Sequence, residues 1–185
     1  MGEMDFVPRE LFLTRGVGRH REKLASFELA LRKAGIAQFN LVGVSSIFPP
    51  KCKIITKTKG LENLMPGQVV FMVKSQAETN EAHRLISASV GIARPTDSSH
   101  FGYLSEHHDF GKKEQEVADY AEDLAAGMLA TTIGVTEFDP EENWDNKREL
   151  YKISDKLVRT RNITQTAVGR KGLWTTVLAA AVMIL

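Results

Sequence analysis

The sequence predicts an α+β or layered α/β domain, and three observations carry that prediction. Six or so strand-like runs alternate with two substantial helical stretches in the order β-α-β-β-β-β-α-β-β. Apolar residues recur with period two in the strand runs and at spacings of three and four in the helical ones. The final run, Val177 to Leu185, is apolar almost throughout and reads as a fully buried central strand covered on both faces. At 185 residues the chain has the length for one domain, spanning 1–185, with a proper core.

In order, Phe6 to Gly18 reads as a first strand, with Leu11, Leu13 and Val17 on one side of the pleat and Gly16 and Gly18 allowing a bend. From His20 to Ala34 the pattern is helical, because Leu24, Phe27, Leu31 and Ala34 form one apolar stripe. Gly35 is a natural left-handed stop, and Glu28 lies beside the stripe at the helix edge. Asn40 to Phe48 reads as one apolar strand stopped by Pro49 and Pro50, and Cys52 to Lys57 extends the sheet. The glycines, proline and polar residues of Lys57 to Gly67 indicate a loop. Val69 to Lys74, Ala82 to Ala93 and His100 to His108 are further strands, with His83 as a strand residue. Gly111 opens a long helix that reaches Ile133, with Val117, Tyr120, Ala121, Leu124 and Met128 on one face and Gly134 as its stop. Asp139 to Arg148 is an expected exposed loop. Ile153 to Arg161 and Thr175 to Leu185 complete the sheets.

Composition narrows the function classes. A net charge of +1 gives no global electrostatic case for nucleic acid or an anionic membrane. The basic run Arg15, Arg19, His20, Arg21 and Lys23 lacks interleaved aromatics for base stacking. The single cysteine, Cys52, rules out an internal disulfide framework, disfavours a structural zinc site and suggests an intracellular, cytoplasmic location. Met1 to Glu10 lacks the pattern of a signal peptide, and the apolar C-terminal run is shorter than a bilayer span, which takes about 20 residues. His107 and His108 point to opposite faces of a strand, so no metal is expected there. No dinucleotide fingerprint or phosphate-binding loop occurs, and Gly16-Val17-Gly18 alone does not make one.

The chemistry concentrates on Val44-Ser45-Ser46-Ile47-Phe48-Pro49-Pro50, where two hydroxyls stand at the end of an apolar strand. Together with Phe27-Glu28-Leu29-Ala30-Leu31, Ala34-Gly35-Ile36, Phe39-Asn40-Leu41, Gly102-Tyr103-Leu104-Ser105-Glu106 and Gly111-Lys112-Lys113-Glu114, this segment resembles the pyruvoyl-dependent arginine decarboxylases. The resemblance covers about residues 10–135, with a weaker match at the C-terminus. It implies a four-layer αββα sandwich assembled as a trimer. It also implies that the chain cuts itself between Ser45 and Ser46 into a β chain, 1–45, and an α chain, 46–185, whose new end carries a covalent pyruvoyl group made from Ser46.

A serine hydroxyl attacks an amide only in a favourable, held geometry. Attack of Ser46 Oγ on the Ser45 carbonyl develops an oxyanion that needs a donor. Asn40, six residues before Ser46, is on the same face of the strand by its period of two, and the resemblance implies that Asn40 serves in processing, within the chain or from a neighbouring subunit. The ketone would then take arginine as a Schiff base and act as the electron sink for decarboxylation to agmatine, feeding polyamine synthesis. Glu106 matches the family's proton donor, a role that requires a carboxyl kept protonated by burial. Glu28 stands where the family usually has aspartate and would pair with the substrate guanidinium, its charge displaced by roughly 1.5 Å, one C–C bond. Leu31, Phe39 and Val44 would line the apolar walls. Two readings stay open beside this one: a pyruvoyl decarboxylase of another amino acid, and an uncut, non-catalytic trimeric binding protein.

Overall fold

The strand that ends the chain lies at the middle of the molecule. In the computed structural model, which describes residues 6–145, 150–153 and 156–185, the apolar C-terminal run has a strand on each side. The elements are β1 (Glu10–His20), α1 (Lys23–Ala34), β2 (Asn40–Gly43), β3 (Ile47–Phe48), β4 (Lys53–Ile55), α2 (Lys57–Glu62), β5 (Val69–Thr79), β6 (Leu85–Pro95) and β7 (Gly102–Phe110). After these come α3 (Glu114–Thr132), α4 (Pro140–Asn143), β8 (Trp144–Asp145), β9 (Leu150–Ile153), β10 (Lys156–Val168) and β11 (Trp174–Ile184). Among the described residues one sheet runs β2-β5-β11-β1-β4 and the other β3-β7-β6-β10-β9-β8. The fold is therefore α+β with two sheets.

Alternation along β11 explains the layering. Leu178, Ala180 and Val182 pack under α1 with Phe12, Ala30 and Leu31. Ala179, Ala181 and Met183 face the second sheet and meet Val90, Ile92 and Leu104. The far face of the second sheet is covered by α3, through Ala125, Ala126 and Leu129 against Ala93 and Val158. Fully burying a valine, leucine or methionine side chain stabilises by about 1.5–3 kcal/mol, so a strand apolar on both faces belongs at the centre.

Small residues let the helices lie close to the sheets. A Cβ at Gly16 would come within 2.1 Å of the Ala30 carbonyl oxygen, and one at Gly18 within 2.0 Å of the Ser26 oxygen. These glycines thus admit α1 onto β1 rather than bend the strand. Thr14 Oγ1 and Ser26 Oγ, buried at that contact, donate to the Ala34 carbonyl at 2.6 Å and the Lys23 carbonyl at 2.7 Å. On the other side, Gly91 leaves room for the Ala121 carbonyl of α3.

Several expectations are corrected. Asn40 to Phe48 is not one strand: β2 pairs in parallel with β5 in the first sheet, whereas β3 pairs with β7 in the second. Lys57 to Gly67 is not all loop, because Thr56 caps α2 and Gly60 gives Phe12 the space it fills. Leu24 is 78% exposed, and the buried stripe of α1 is Ser26, Ala30, Leu31 and Ala34, because the intimate contact with β1 favours small residues. Tyr120 is likewise 49% exposed, and α3 buries an alanine-rich face instead. His83 lies in the turn before β6 with φ of 63°, not in a strand. The first strand starts at Glu10, not Phe6, and Asp139 to Asp145 holds α4 and β8, with 146–149 outside the described residues. Gly35 and Gly134 take the expected left-handed conformation, at φ of 78° and 85°.

Candidate active site

The serine pair lies in the crossover between the sheets. β2 ends at Gly43, Val44 N–H still donates to the Met72 carbonyl of β5 at 3.1 Å, and Ser46 already offers its carbonyl to Leu104 N–H of β7 at 2.7 Å. Between these anchors Ile47 N–H donates to the Ser45 carbonyl at 3.0 Å, closing a tight turn around Ser46. That carbonyl belongs to the peptide bond between the serines, so a backbone donor already polarises the atom a Ser46 nucleophile would attack. Neither serine hydroxyl hydrogen-bonds to a described side chain or backbone group, which leaves Ser46 Oγ unengaged.

The break in the strand removes the register that would put Asn40 on the face of Ser46. Asn40 is exposed, and its Nδ2 donates to the Gly67 carbonyl at 2.6 Å. Its amide is thus engaged with Gly67, and the donor on the Ser45 carbonyl is Ile47 N–H, which no side-chain pattern could have announced.

Beside the crossover is a cleft of about 710 Å³. Its lining includes Glu28, Leu31, Phe39, Asn40, Val44 and Glu106. Six positions singled out from the sequence therefore share one cavity, although they come from α1, the turn after it, β2, the crossover and β7. Ser45 lines a neighbouring apolar cleft with Ile47, Phe71 and Met183, and Val44 is common to both.

Each carboxylate reaches the cleft for a local reason. Glu28 projects from the edge of α1, half-exposed, and accepts from Arg32 Nε at 2.9 Å one helical turn on. Glu106 follows Ser105, which is buried against α3: Ser105 Oγ donates to the Ala121 carbonyl at 2.5 Å and accepts from Gly91 N–H at 3.2 Å. Strand alternation then turns Glu106 to the opposite face, toward the first sheet. There β5 has lost its neighbour β2, and β7 comes alongside, with Ser75 Oγ donating to the His107 carbonyl at 2.6 Å.

Glu106 is solvent-accessible at this open edge, yet partial burial of its carboxyl raises the pKa above the usual carboxylate value. Lys74 opposes the rise twice, through its charge and through its backbone N–H. Burial in turn pulls the Lys74 ammonium below its ordinary value, against the attraction of Glu106 and Glu78. Lys74 Nζ donates to Gln76 Oε1 at 2.5 Å and lies 4.9 Å from the Phe27 ring centroid. Lys74 was not singled out from the sequence. Its signal was slight: one cation closing the apolar run Val69 to Val73.

The setting fits a group made from Ser46. The residue lies outside any ladder at a bend, its hydroxyl is unengaged, and the carbonyl before it is held by a donor. No group of three or more metal-ligating side chains occurs among the described residues. No helix among them is long and apolar enough to cross a membrane.

Comparison with known proteins agrees with this arrangement. Residues 10–185 match the family described as pyruvoyl-dependent arginine decarboxylase. A probable pyruvoyl-dependent arginine decarboxylase of Chlorobium limicola is 56% identical over 181 residues, 98% of this chain and 99% of the relative. The pyruvoyl-dependent arginine decarboxylase of Nitrosopumilus maritimus is 54% identical over 182 residues, covering 98% and 99%. Pyruvoyl-dependent arginine decarboxylase 2 of Methanosarcina acetivorans is 51% identical over 179 residues, covering 96% and 97%. With a serine pair at a held turn, two carboxylates in the adjoining cleft and a family match that runs to the last residue, the chain belongs to the pyruvoyl-dependent arginine decarboxylases.

Proposed function

We propose that this protein decarboxylates L-arginine to agmatine and carbon dioxide with a pyruvoyl group derived from its own Ser46. The observation that carries the reading is the single cleft that gathers Glu28, Leu31, Phe39, Asn40, Val44 and Glu106 beside the serine crossover. Processing begins when Ser46 Oγ attacks the Ser45 carbonyl, and Ile47 N–H stabilises the developing oxyanion. The peptide becomes an ester, and loss of a proton from Ser46 Cα expels the Ser45 carboxylate. Water then replaces nitrogen at the resulting dehydroalanine, releasing ammonia and leaving the ketone. The products are a β chain, 1–45, and an α chain, 46–185, which together form one domain. Asn40 assists from its position on the cleft, in the same subunit or in a neighbouring one of a trimer.

The pyruvoyl group, once formed, supplies the electron sink for loss of carbon dioxide. Residues of the chain do the rest. Glu28 receives the substrate guanidinium, while Leu31, Phe39 and Val44 shelter the side-chain methylenes from water. Glu106, whose carboxyl is raised above its usual pKa by partial burial, returns a proton to the substrate Cα. The Glu28 carboxylate facing the cleft favours a cationic amino acid over a neutral or acidic one.

Denaturing mass spectrometry of the purified protein, combined with carbon dioxide release from arginine, ornithine, lysine and histidine, tests the proposal. Two chains, parted between residues 45 and 46, and a preference for arginine are expected. An active, uncut chain would overturn the self-processing route, and a better substrate than arginine would overturn the role of Glu28.

A further inference from the structure

A second, more enclosed cavity of about 210 Å³ shares no described lining residue with the Glu28–Glu106 cleft. Two of its residues are Arg94 of β6 and Arg159 of β10, which are directly opposite each other in the antiparallel register. Side chains so paired leave the sheet on one face with Cβ atoms about 4.5–5.5 Å apart, and like charges there destabilise the pair. The ion pairs of the described residues include neither arginine.

The rest of the lining adds positive charge and donors. Lys51 stands in the left-handed region at φ of 59°, fixed by donation of its N–H to the Ser98 carbonyl at 2.7 Å. His100, Thr96 and Ser98 complete the polar wall, and no Asp or Glu is among the described lining residues. Carboxylates of the adjoining segments are engaged: Asp97 with Ser99 and His100, and Glu10 with Lys59. Cys52 contributes no negative charge, since burial pushes its thiol up to about 11. Three cations without a carboxylate partner among the described residues thus converge on one partly enclosed site, where their mutual repulsion favours an anion between them.

We propose that this cavity binds a small tetrahedral oxyanion, with inorganic phosphate the simplest, bridged between the Arg94 and Arg159 guanidinium groups with Lys51 as the third cation. Guanidinium forks match the oxygen spacing of such an anion and bind it bidentately. The volume lies below the roughly 300–1,000 Å³ of pockets that hold drug-sized ligands, so a nucleotide does not fit inside. Phe48 and Pro49 form part of the wall, so a bound anion braces the segment that continues from the serine pair.

Calorimetric titration of the full-length protein with inorganic phosphate, against chloride at matched ionic strength and with sulfate as competitor, tests the site. Saturable binding at one site per chain is expected, with sulfate competing. Loss of a charge-assisted contact in R94Q or R159Q weakens affinity about tenfold or more. R94Q is also expected to be more stable than the unaltered protein in phosphate-free buffer, because the facing charges are relieved. R159Q alters an exposed side chain and keeps the test decisive if R94Q does not fold. Absence of saturable binding, or an affinity in both variants unchanged from that of the unaltered protein, overturns the proposal. So does splitting of the native assembly by either substitution without any phosphate response, which would assign the cations to a carboxylate of a neighbouring copy.

Discussion

At the scale of single residues, the proposed proton-donor role of Glu106 predicts a pH response that Lys74 tunes. A proton donor works in its protonated form, and the Glu106 carboxyl is held above its usual value by burial while Lys74 pulls it down. Turnover should therefore be full below the raised pKa and fall as pH rises through it. Lys74→Met removes the opposing charge and should move that falling limb to higher pH; a limb that stays put in a kcat–pH profile would separate the two residues. Glu106→Gln should leave chain cleavage intact, read on a denaturing gel, and lower kcat by about 100-fold or more. Glu28 presents a different case, since Arg32 already holds it at 2.9 Å. A half-exposed pair of this kind is worth about 0–1 kcal/mol. Arg32→Ala should accordingly lower KM for arginine by up to about fivefold, by removing an internal competitor for the same carboxylate.

At the scale of elements, α1 carries Glu28 and is seated on β1 by two glycines. Gly16→Ala places a methyl group against the backbone of Ala30, where no side chain can swing aside. Overpacking of that kind costs about 1–3 kcal/mol. Its lower Tm should come with a higher KM, because α1 must lift and take Glu28 with it. The existence of α1, its end at Gly35 and the buried β11 were legible from periodicity and a left-handed stop, since those signals are local. Which face α1 buries was not, because leucine at position 24 outscores serine at 26 until the glycines opposite reveal how near the strand lies. The helix α2 was hidden by Gly60, whose absent side chain serves Phe12 rather than a turn. Nor could any local pattern divide Asn40 to Phe48, since the choice of β5 for one half and β7 for the other depends on partners about 30 and 55 residues away. The residues of the cleft were readable individually, through the family likeness, whereas the Ile47 donor exists only in the folded backbone.

At the scale of the whole molecule, the proposed cut falls between pieces that remain interleaved. The 1–45 piece contributes β1, α1 and β2, and β1 is paired with β11 along all of its 11 residues. Cleavage should leave the two pieces together through gel filtration without denaturant. Ser46→Ala should give one uncut chain with the same fold, so its circular dichroism should overlay that of the processed protein while activity is lost.

The pairing of β1 with β11 also bears on how long such an enzyme lasts. A cut protein that opens fully must find its other half again in a crowd of strangers, so recovery depends on dilution in a way that it does not for an intact chain. Its working lifetime is then governed by how rarely it comes apart, a rate rather than a balance. The uncut Ser46→Ala form should regain its native signal after urea at any concentration, while the mature form should recover less completely the more it is diluted.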